Sequence, residues 1–181
     1  MRTLEEDLAA AQAFHGHLCH GMVMGVRMAR LGCRELGIED PLTYRDLLVY
    51  VEMDRCASDA VSVVCGVTLG KRRLKWVDYG KLAATFYDLS TGRAVRVAPR
   101  PEVPHVGRDV DPLEFWNDWT DERLFTCTPV RLTVPDEDKP GRPVRRAVCE
   151  ACGEQIQDAR EVVKDGRTLC RACANGAYYR E

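Results

Sequence analysis

Apolar residues in the first forty positions of the chain recur at helical spacing. Residues 4–13 predict a short helix, and a second, longer helix is predicted to end at Gly37. The apolar stripe of the second helix repeats at steps of four and three residues, at Met22, Val26, Ala29, Cys33 and Leu36. Gly21 and Gly25 lie beside this stripe, so we expect another backbone to approach the helix closely there.

Beyond residue 46 the pattern becomes that of strands. The run LLVYVEM, residues 47–53, is rich in β-branched and aromatic residues and predicts a strand. A short helix is predicted over 56–66. Residues 82–89 and 93–98 flank a Ser-Thr-Gly turn, which is typical of a β-hairpin. The intervening segment, 67–81, is basic and predicts a loop or an irregular strand.

A further helix start is marked by Asp111, which offers an N-cap before Pro112 and before Glu114 three positions on. We expect this helix to run to about Leu124 and a strand to follow over 128–134. Helices and strands are therefore mixed without a regular βαβ alternation. The pattern predicts an α+β fold rather than a doubly wound sheet.

The domain organisation follows from one stretch of unusual composition. Residues 135–147 are rich in proline and charge, as exposed linkers are. We therefore predict a mixed helix/sheet core domain over 1–134, a linker over 135–147, and a small C-terminal zinc ribbon with four cysteine ligands over 148–181.

Composition narrows the function classes. The net charge of −2 and a pI near 6.1 do not favour nucleic acid or an anionic membrane as partners. No apolar run approaches the length of a membrane span, and the first residues are too polar for a secretory signal. We expect a cytoplasmic protein, whose nine cysteines are then ligands, catalytic thiols or buried apolar residues rather than disulfides.

Four of these cysteines form two CxxC pairs separated by seventeen residues, namely Cys149, Cys152, Cys170 and Cys173. Each pair can aim two thiolates at one point, and two pairs complete a tetrahedron around Zn²⁺. A turn is predicted at Asp165-Gly166. Four thiolates leave no open coordination position, so this zinc is expected to be structural. The alternative is disulfides or free thiols.

The ribbon's charges largely cancel, so we expect it to contact a protein partner rather than nucleic acid.

A second cluster lies near the N-terminus, where three histidines and a cysteine occupy the six residues from His15 to His20. These are ligands suited to Zn²⁺ or another first-row metal. Contiguous side chains cannot all converge, but His15, His17 and Cys19 share one face if the stretch is extended. The alternative interpretation is a polar helix cap.

The missing part of such a site is predicted to come from another helix. Cys56 lies in the first turn of the predicted helix 56–66 and precedes Asp59 by three residues. A helix N-terminus favours a thiolate at both Cys19 and Cys56. We therefore predict that two helix starts converge, with these two cysteines facing each other. Cys33 and Cys65 lie in apolar patterns and are predicted to be core residues.

Three motifs in order, together with the ribbon, resemble the FmdE family, named for the E component of formylmethanofuran dehydrogenase. They are FHGHLCHG at 14–21, CASDA at 56–60 and LGKRRLKWVDYGKLAATF at 69–86. The resemblance implies an α+β protein that forms homodimers. It also implies a metal pocket built from the histidine/cysteine motif and Cys56, with Cys56 and Asp59 as catalytic candidates.

The chain departs from the family pattern at two positions. His20 stands where proline is usual, and Val67 stands where a cysteine is common, with Cys65 two residues earlier. His20 is therefore a candidate substitute ligand.

The basic segment 67–81 resembles the family's most polar stretch. It gives Lys71, Tyr79 and Lys81 as candidates for binding an anionic group of a cofactor or substrate. The alternative is a solvated loop.

The resemblance implies an accessory protein of formylmethanofuran dehydrogenase that does not itself carry out the redox step. If the pocket is catalytic, either a metal with an open position or a thiolate nucleophile would act. The competing hypothesis is a non-enzymatic zinc-ribbon adaptor or regulator that binds protein or nucleic acid.

Overall fold

A computed structural model describes residues 1–107 and 109–180. The chain divides into two compact units, Met1–Leu132 and a smaller one that begins at Thr133. The first unit combines helices with a five-stranded sheet, which confirms the predicted α+β class. No helix among the described residues combines the length and the apolar character that a membrane crossing requires.

Helices α1 (Leu4–His15) and α2 (His20–Leu36) form where the apolar spacing predicts them. Thr3 caps α1 by accepting from the backbone N–H of Glu6, whose carboxylate accepts from the N–H of Thr3 in return. Gly37 ends α2 in the left-handed conformation, at φ +76°, as the sequence predicts.

The sheet has the strand order β2-β1-β3-β4-β5, with β1 and β2 parallel and the other neighbours antiparallel. The predicted hairpin is confirmed as β3 and β4, and the basic segment supplies the short edge strand β2. The last strand was misplaced by sequence alone: it begins at Phe125 instead of 128. The strands are β1 (Leu47–Val51), β2 (Leu74–Trp76), β3 (Ala84–Asp88), β4 (Ala94–Pro99) and β5 (Phe125–Val130).

Small residues join α2 to α3 (Cys56–Cys65). A methyl group on Gly25 would lie 2.7 Å from Ala57 Cα and 2.8 Å from the Ala60 side chain, so only glycine permits this approach. Since the starts of the two helices meet at one end and Cys33 meets Cys65 at the other, the helices run in the same direction. This contact decides where the functional side chains lie.

The single helix predicted between Pro112 and Leu124 is wrong: the segment forms two short helices, α4 (Pro112–Trp116) and α5 (Asp121–Leu124). Thr120 restarts the helix because its hydroxyl accepts from the N–H of Arg123. In addition, Arg27 donates to the carbonyls of Trp116 and Trp119, which a continuous helix would use internally.

The second unit consists of two small hairpins and one short helix. Asp165 and Gly166, at φ 52° and 74°, form the turn that the sequence predicts. The residues expected to form a linker belong to this unit: Asp136–Asp138 is a 3-10 turn, and Arg160 donates to Asp138 at 2.9 Å. Its elements are β6 (Arg146–Val148), β7 (Gln155–Gln157), β8 (Val162–Lys164), β9 (Arg167–Leu169) and α6 (Arg171–Asn175).

Candidate metal centre

The segment between α1 and α2 presents three ligand side chains together. His15 is the last residue of α1, Gly16 turns the chain at φ 95°, and Cys19 is the extended residue that caps α2. His15, His17 and Cys19 each offer a ligand atom within 4.8 Å of the other two. The extended geometry predicted for this stretch therefore places alternate side chains on one side.

Cys56 meets this group from the start of α3. A methyl group placed on Gly21 would lie 3.7 Å from Cys19 Sγ and 3.8 Å from Cys56 Sγ, so both thiols border the same glycine. Burial, followed by the hydrogen bond with the Cys19 thiol and its charge, raises the pKa of Cys56. The convergence of the two helix starts is as predicted, but the expected lowering of the Cys56 pKa by the helix dipole is outweighed.

Asp59 orients one of the imidazoles. Its carboxylate lies 2.8 Å from Nδ1 of His15, a link between the end of α1 and the first turn of α3. With Nδ1 held by the carboxylate, Nε2 of His15 is the nitrogen left for a metal. A carboxylate on the distal nitrogen fixes the ring and makes it a better ligand.

His20 is not brought into this group. The indole N–H of Trp116 donates to Nδ1 of His20 at 2.9 Å, which assigns the ring proton to Nε2, and Nε2 lies 3.2 Å from the carbonyl of Gly107. Both ring nitrogens are thus occupied, and neither has a lone pair free for a metal. The substitution of histidine for the usual proline serves a packing and hydrogen-bonding role here.

The candidates from the basic segment lie at the surface. Lys71, Tyr79 and Lys81 are exposed, and the Lys81 ammonium lies 5.8 Å above the Tyr79 ring. Arg73, by contrast, is buried and donates to the carbonyls of Tyr44 and Gly66, so it ties the end of α3 to the preceding loop. Binding of an anionic group by the three exposed residues stays a prediction.

The donor set fits a first-row transition metal. Two imidazoles and two thiols combine borderline and soft ligands, the combination that favours Zn²⁺ over Mg²⁺ or Ca²⁺. The cluster is only partly buried, with 18% of the His15 side chain and 42% of the Asp59 side chain exposed. A metal held here would therefore be reachable by another molecule.

The second unit brings its four cysteines together as predicted. Cys149, Cys152, Cys170 and Cys173 each offer a sulfur within 4.8 Å of the others, and 4.0 Å separates the sulfurs of Cys152 and Cys170. Bonds of about 2.3 Å from zinc to sulfur place tetrahedral sulfurs slightly under 4 Å apart. The geometry fits a closed zinc site with four thiolate ligands.

The electrostatics of the ribbon also call for a cation. Backbone N–H groups, those of Cys152 and Cys170 foremost, lower the pKa of Cys149 to about 6. Hydrogen bonds with the other three thiols raise the pKa of Cys173 to about 12. One thiolate forms readily while another is strongly opposed, and a bound cation would allow all four to ionise.

Sequence reasoning missed Trp116 and Gly107 as the partners of His20. Only the aromatic character of the segment around Trp116 could have drawn attention to it. The sequence prediction that Cys33 and Cys65 are core residues is confirmed: both are fully buried, with their sulfurs 3.7 Å apart.

A mixed helix/sheet unit with a histidine/cysteine cluster where three helices meet, followed by a four-cysteine ribbon, defines a two-unit protein with metal-binding groups. The FmdE family model (FmdE, molybdenum formylmethanofuran dehydrogenase operon) matches residues 14–125, and this chain belongs to that family. The prokaryotic dksA/traR C4-type zinc finger matches residues 142–179, which include all four ribbon cysteines.

Two individual proteins illustrate the likeness. A probable S-adenosyl-L-methionine-binding protein of Archaeoglobus fulgidus is 32% identical over 199 residues, which cover 95% of this chain and 53% of that protein. The chain thus spans about half the length of this relative. The crystal structure of a tungsten formylmethanofuran dehydrogenase (FmdE)-like protein from Syntrophus aciditrophicus matches with a TM-score of 0.64 and 23% identity, covering 99% of this chain and 96% of that one. This likeness shows the fold.

Proposed function

We propose that this protein is a metal-binding accessory protein of one-carbon metabolism that works with formylmethanofuran dehydrogenase. Its core cluster would hold a first-row transition metal, most simply Zn²⁺, in addition to the structural zinc of the ribbon. The observation that supports this proposal is the convergence of His15, His17 and Cys19 within 4.8 Å, with the Cys56 thiol beside them.

Each side chain of the cluster has a definable role in this proposal. His15, held by Asp59, and His17 supply nitrogen ligands, and Cys19 and Cys56 supply sulfur from two helix starts. A metal with an open position would polarise a carbonyl or acidify a bound water. We assign the redox interconversion of CO2 and the formyl group to other subunits, so this chain contributes binding and polarisation of a formyl or carboxyl oxygen.

Metal counting separates this proposal from a simple adaptor. We expect two metal ions per chain in purified protein, by elemental mass spectrometry with protein quantified by amino-acid analysis. Cys149→Ser/Cys152→Ser should lose one ion and keep the other, and Cys19→Ser/Cys56→Ser should show the reverse. The matched control, Cys33→Ser/Cys65→Ser, should keep both if it folds. Absence of metal from the ribbon variant would contradict the core site and favour the adaptor.

Association with the dehydrogenase needs its own measurement. We expect the tagged full chain to retain the catalytic subunits of formylmethanofuran dehydrogenase on co-expression, and light scattering to give the mass of a homodimer for the chain alone. Failure to retain those subunits under conditions that retain the second protomer would contradict the accessory role.

A second candidate function is binding of S-adenosyl-L-methionine, suggested by the description of the archaeal relative and by a cavity of about 620 Å³ in the first unit. Its wall includes the indoles of Trp116 and Trp119, suited to an adenine ring, and Arg34, whose side chain is 55% exposed and suited to a carboxylate. Calorimetric titration with S-adenosyl-L-methionine tests this. Binding that Trp119→Ala weakens at least ten-fold would support it, and no heat at millimolar ligand would exclude it.

A further inference from the structure

A second, smaller cavity lies directly beside the thiols of the core cluster. It has a volume of about 330 Å³, within the range of small-molecule pockets. The start of α2 forms one wall and the loop between β4 and α4 forms the other. Residues that matter for its chemistry are His20, Gly21, Met24, Val103, Val106 and Trp116.

Gly21 makes the cavity continuous with the cluster. It lines the cavity, and the methyl group it lacks would contact Cys19 Sγ and Cys56 Sγ at 3.7 and 3.8 Å. The same methyl group would lie 3.3 Å from Cys56 Cβ. A molecule in the cavity therefore reaches van der Waals distance of both sulfurs across bare backbone.

The lining selects for uncharged groups. None of the described residues around the cavity carries a carboxylate, an ammonium or a guanidinium group. The ring nitrogens of His20 are already paired with Trp116 and Gly107, so they offer little to a polar ligand. Met24 is buried, and Val103 and Val106 are half-buried, which leaves an apolar surface to be covered.

The same hydrogen bonds hold the cavity wall in place. His20, the first residue of α2, connects Trp116 on α4 to Gly107 at the end of the loop. The loop residues Val103 and Val106 are thereby anchored opposite Met24. The cavity is a built feature of the fold rather than a gap under an unattached loop.

We propose that this cavity takes the uncharged apolar end of a ligand, a planar ring or a branched carbon group, while the ligand's polar end sits on the core metal. This inference rests on the proposed core metal site. It identifies the ligand class as neutral carbonyl or hydroxamate-like molecules with an apolar substituent, in contrast to charged small anions such as formate.

Two hydroxamic acids test the proposal, because they share one metal-binding group and differ in their substituent. Acetohydroxamate carries a methyl group and benzohydroxamate a phenyl ring. Both are titrated into the cobalt-loaded full chain while the cobalt absorption spectrum is recorded. The closed four-thiolate site of the ribbon should not respond. We expect benzohydroxamate to bind at least about ten-fold more tightly, because its ring is removed from water.

Filling the cavity should remove that preference. Val103→Trp and Val106→Trp each place an indole at the loop wall, and we expect the affinity ratio to fall to about one while acetohydroxamate binding is unchanged. Val163→Trp, at an exposed position of β8, is the matched control and should preserve the ratio. Two loop variants are used so that misfolding of one leaves the other to report.

The outcomes distinguish the two hypotheses. If the chain takes up cobalt only in the ribbon, the proposed core site is wrong. If cobalt occupies the core and the two hydroxamates bind equally, or neither binds, the cavity proposal is overturned. A wild-type preference that survives both loop substitutions would also overturn it, since the ring would then bind elsewhere.

Discussion

Helices α2 and α3 hold two pairs of cysteines, one at each end of their contact. Cys19 and Cys56 lie at the helix starts, half-buried and beside two imidazoles. Cys33 and Cys65 lie at the other end, fully buried with sulfurs 3.7 Å apart. The residues and the supporting helices are the same in both pairs. What differs is access to solvent and the presence of histidines, so surroundings decide which pair can bind a metal.

Separating the helices should have the largest effect, since it disturbs both pairs. Gly25→Leu forces a side chain into Ala57 and Ala60, where even a methyl group would lie 2.7 Å from backbone. We expect a loss of about 3 kcal/mol or more in unfolding free energy, together with loss of the core metal. Urea denaturation and metal analysis measure the two effects.

The control is Gly70→Leu, at a position with nothing within 4 Å of an added methyl group. This variant should unfold within about 0.5 kcal/mol of the parent. Equal stability of the two glycine variants would mean that the close helix contact does not position the pairs.

Removing one thiol from each pair should give opposite results. Cys65→Ala leaves a small cavity in the core, and we expect a loss of about 1–2 kcal/mol in unfolding free energy with the core metal retained. Cys56→Ala removes a ligand at a half-buried position, so it should abolish core metal binding at a smaller cost in stability. Metal loss in both variants would show that the buried pair also supports the site.

A smaller change tests the orientation of His15. Asp59→Asn keeps the shape of the side chain but removes the charge that faces Nδ1 at 2.8 Å. We expect the core metal to bind about 10- to 100-fold more weakly, as for other carboxylates behind a histidine ligand. Competition with a chromophoric zinc chelator measures this. Asp54→Asn, on the exposed turn just before α3, is the matched control and should leave the affinity unchanged.

The buried pair should reveal itself most weakly, through pH. The hydrogen bond with Cys33, reinforced by burial, raises the pKa of Cys65 well above its ordinary value. Above about pH 8.5 the unfolded chain releases this proton while the folded chain keeps it, so stability falls as pH rises, by at most about 1.4 kcal/mol per pH unit. Parallel denaturation curves of the parent and Cys65→Ala between about pH 8 and 10 should diverge in slope.

The sequence predicted the parts of this comparison that depend on local pattern. The apolar stripe identified Cys33 as core, the glycines of α2 indicated a close helix contact, and alternation placed His15, His17 and Cys19 together. These are properties of spacing along one element, which the chain carries explicitly.

The failures arise from contacts that are distant in sequence. His20 was a candidate ligand until Trp116, 96 residues away, proved to occupy its Nδ1. The break between α4 and α5 depends partly on Arg27, whose guanidinium takes the carbonyls of Trp116 and Trp119. Neither partner could be assigned without the fold, because many donors of equal quality compete in the sequence.

The glycine contact between α2 and α3 has a consequence for how this family can diversify. Since main-chain atoms set the separation of the two helix starts, the anchor points at positions 19 and 56 do not depend on which side chains they carry. Exchanging a thiol for an imidazole or a carboxylate there would alter metal preference, from softer to harder ions, at little expense to folding. A scaffold of this kind lets specificity drift by single substitutions while the architecture is inherited unchanged.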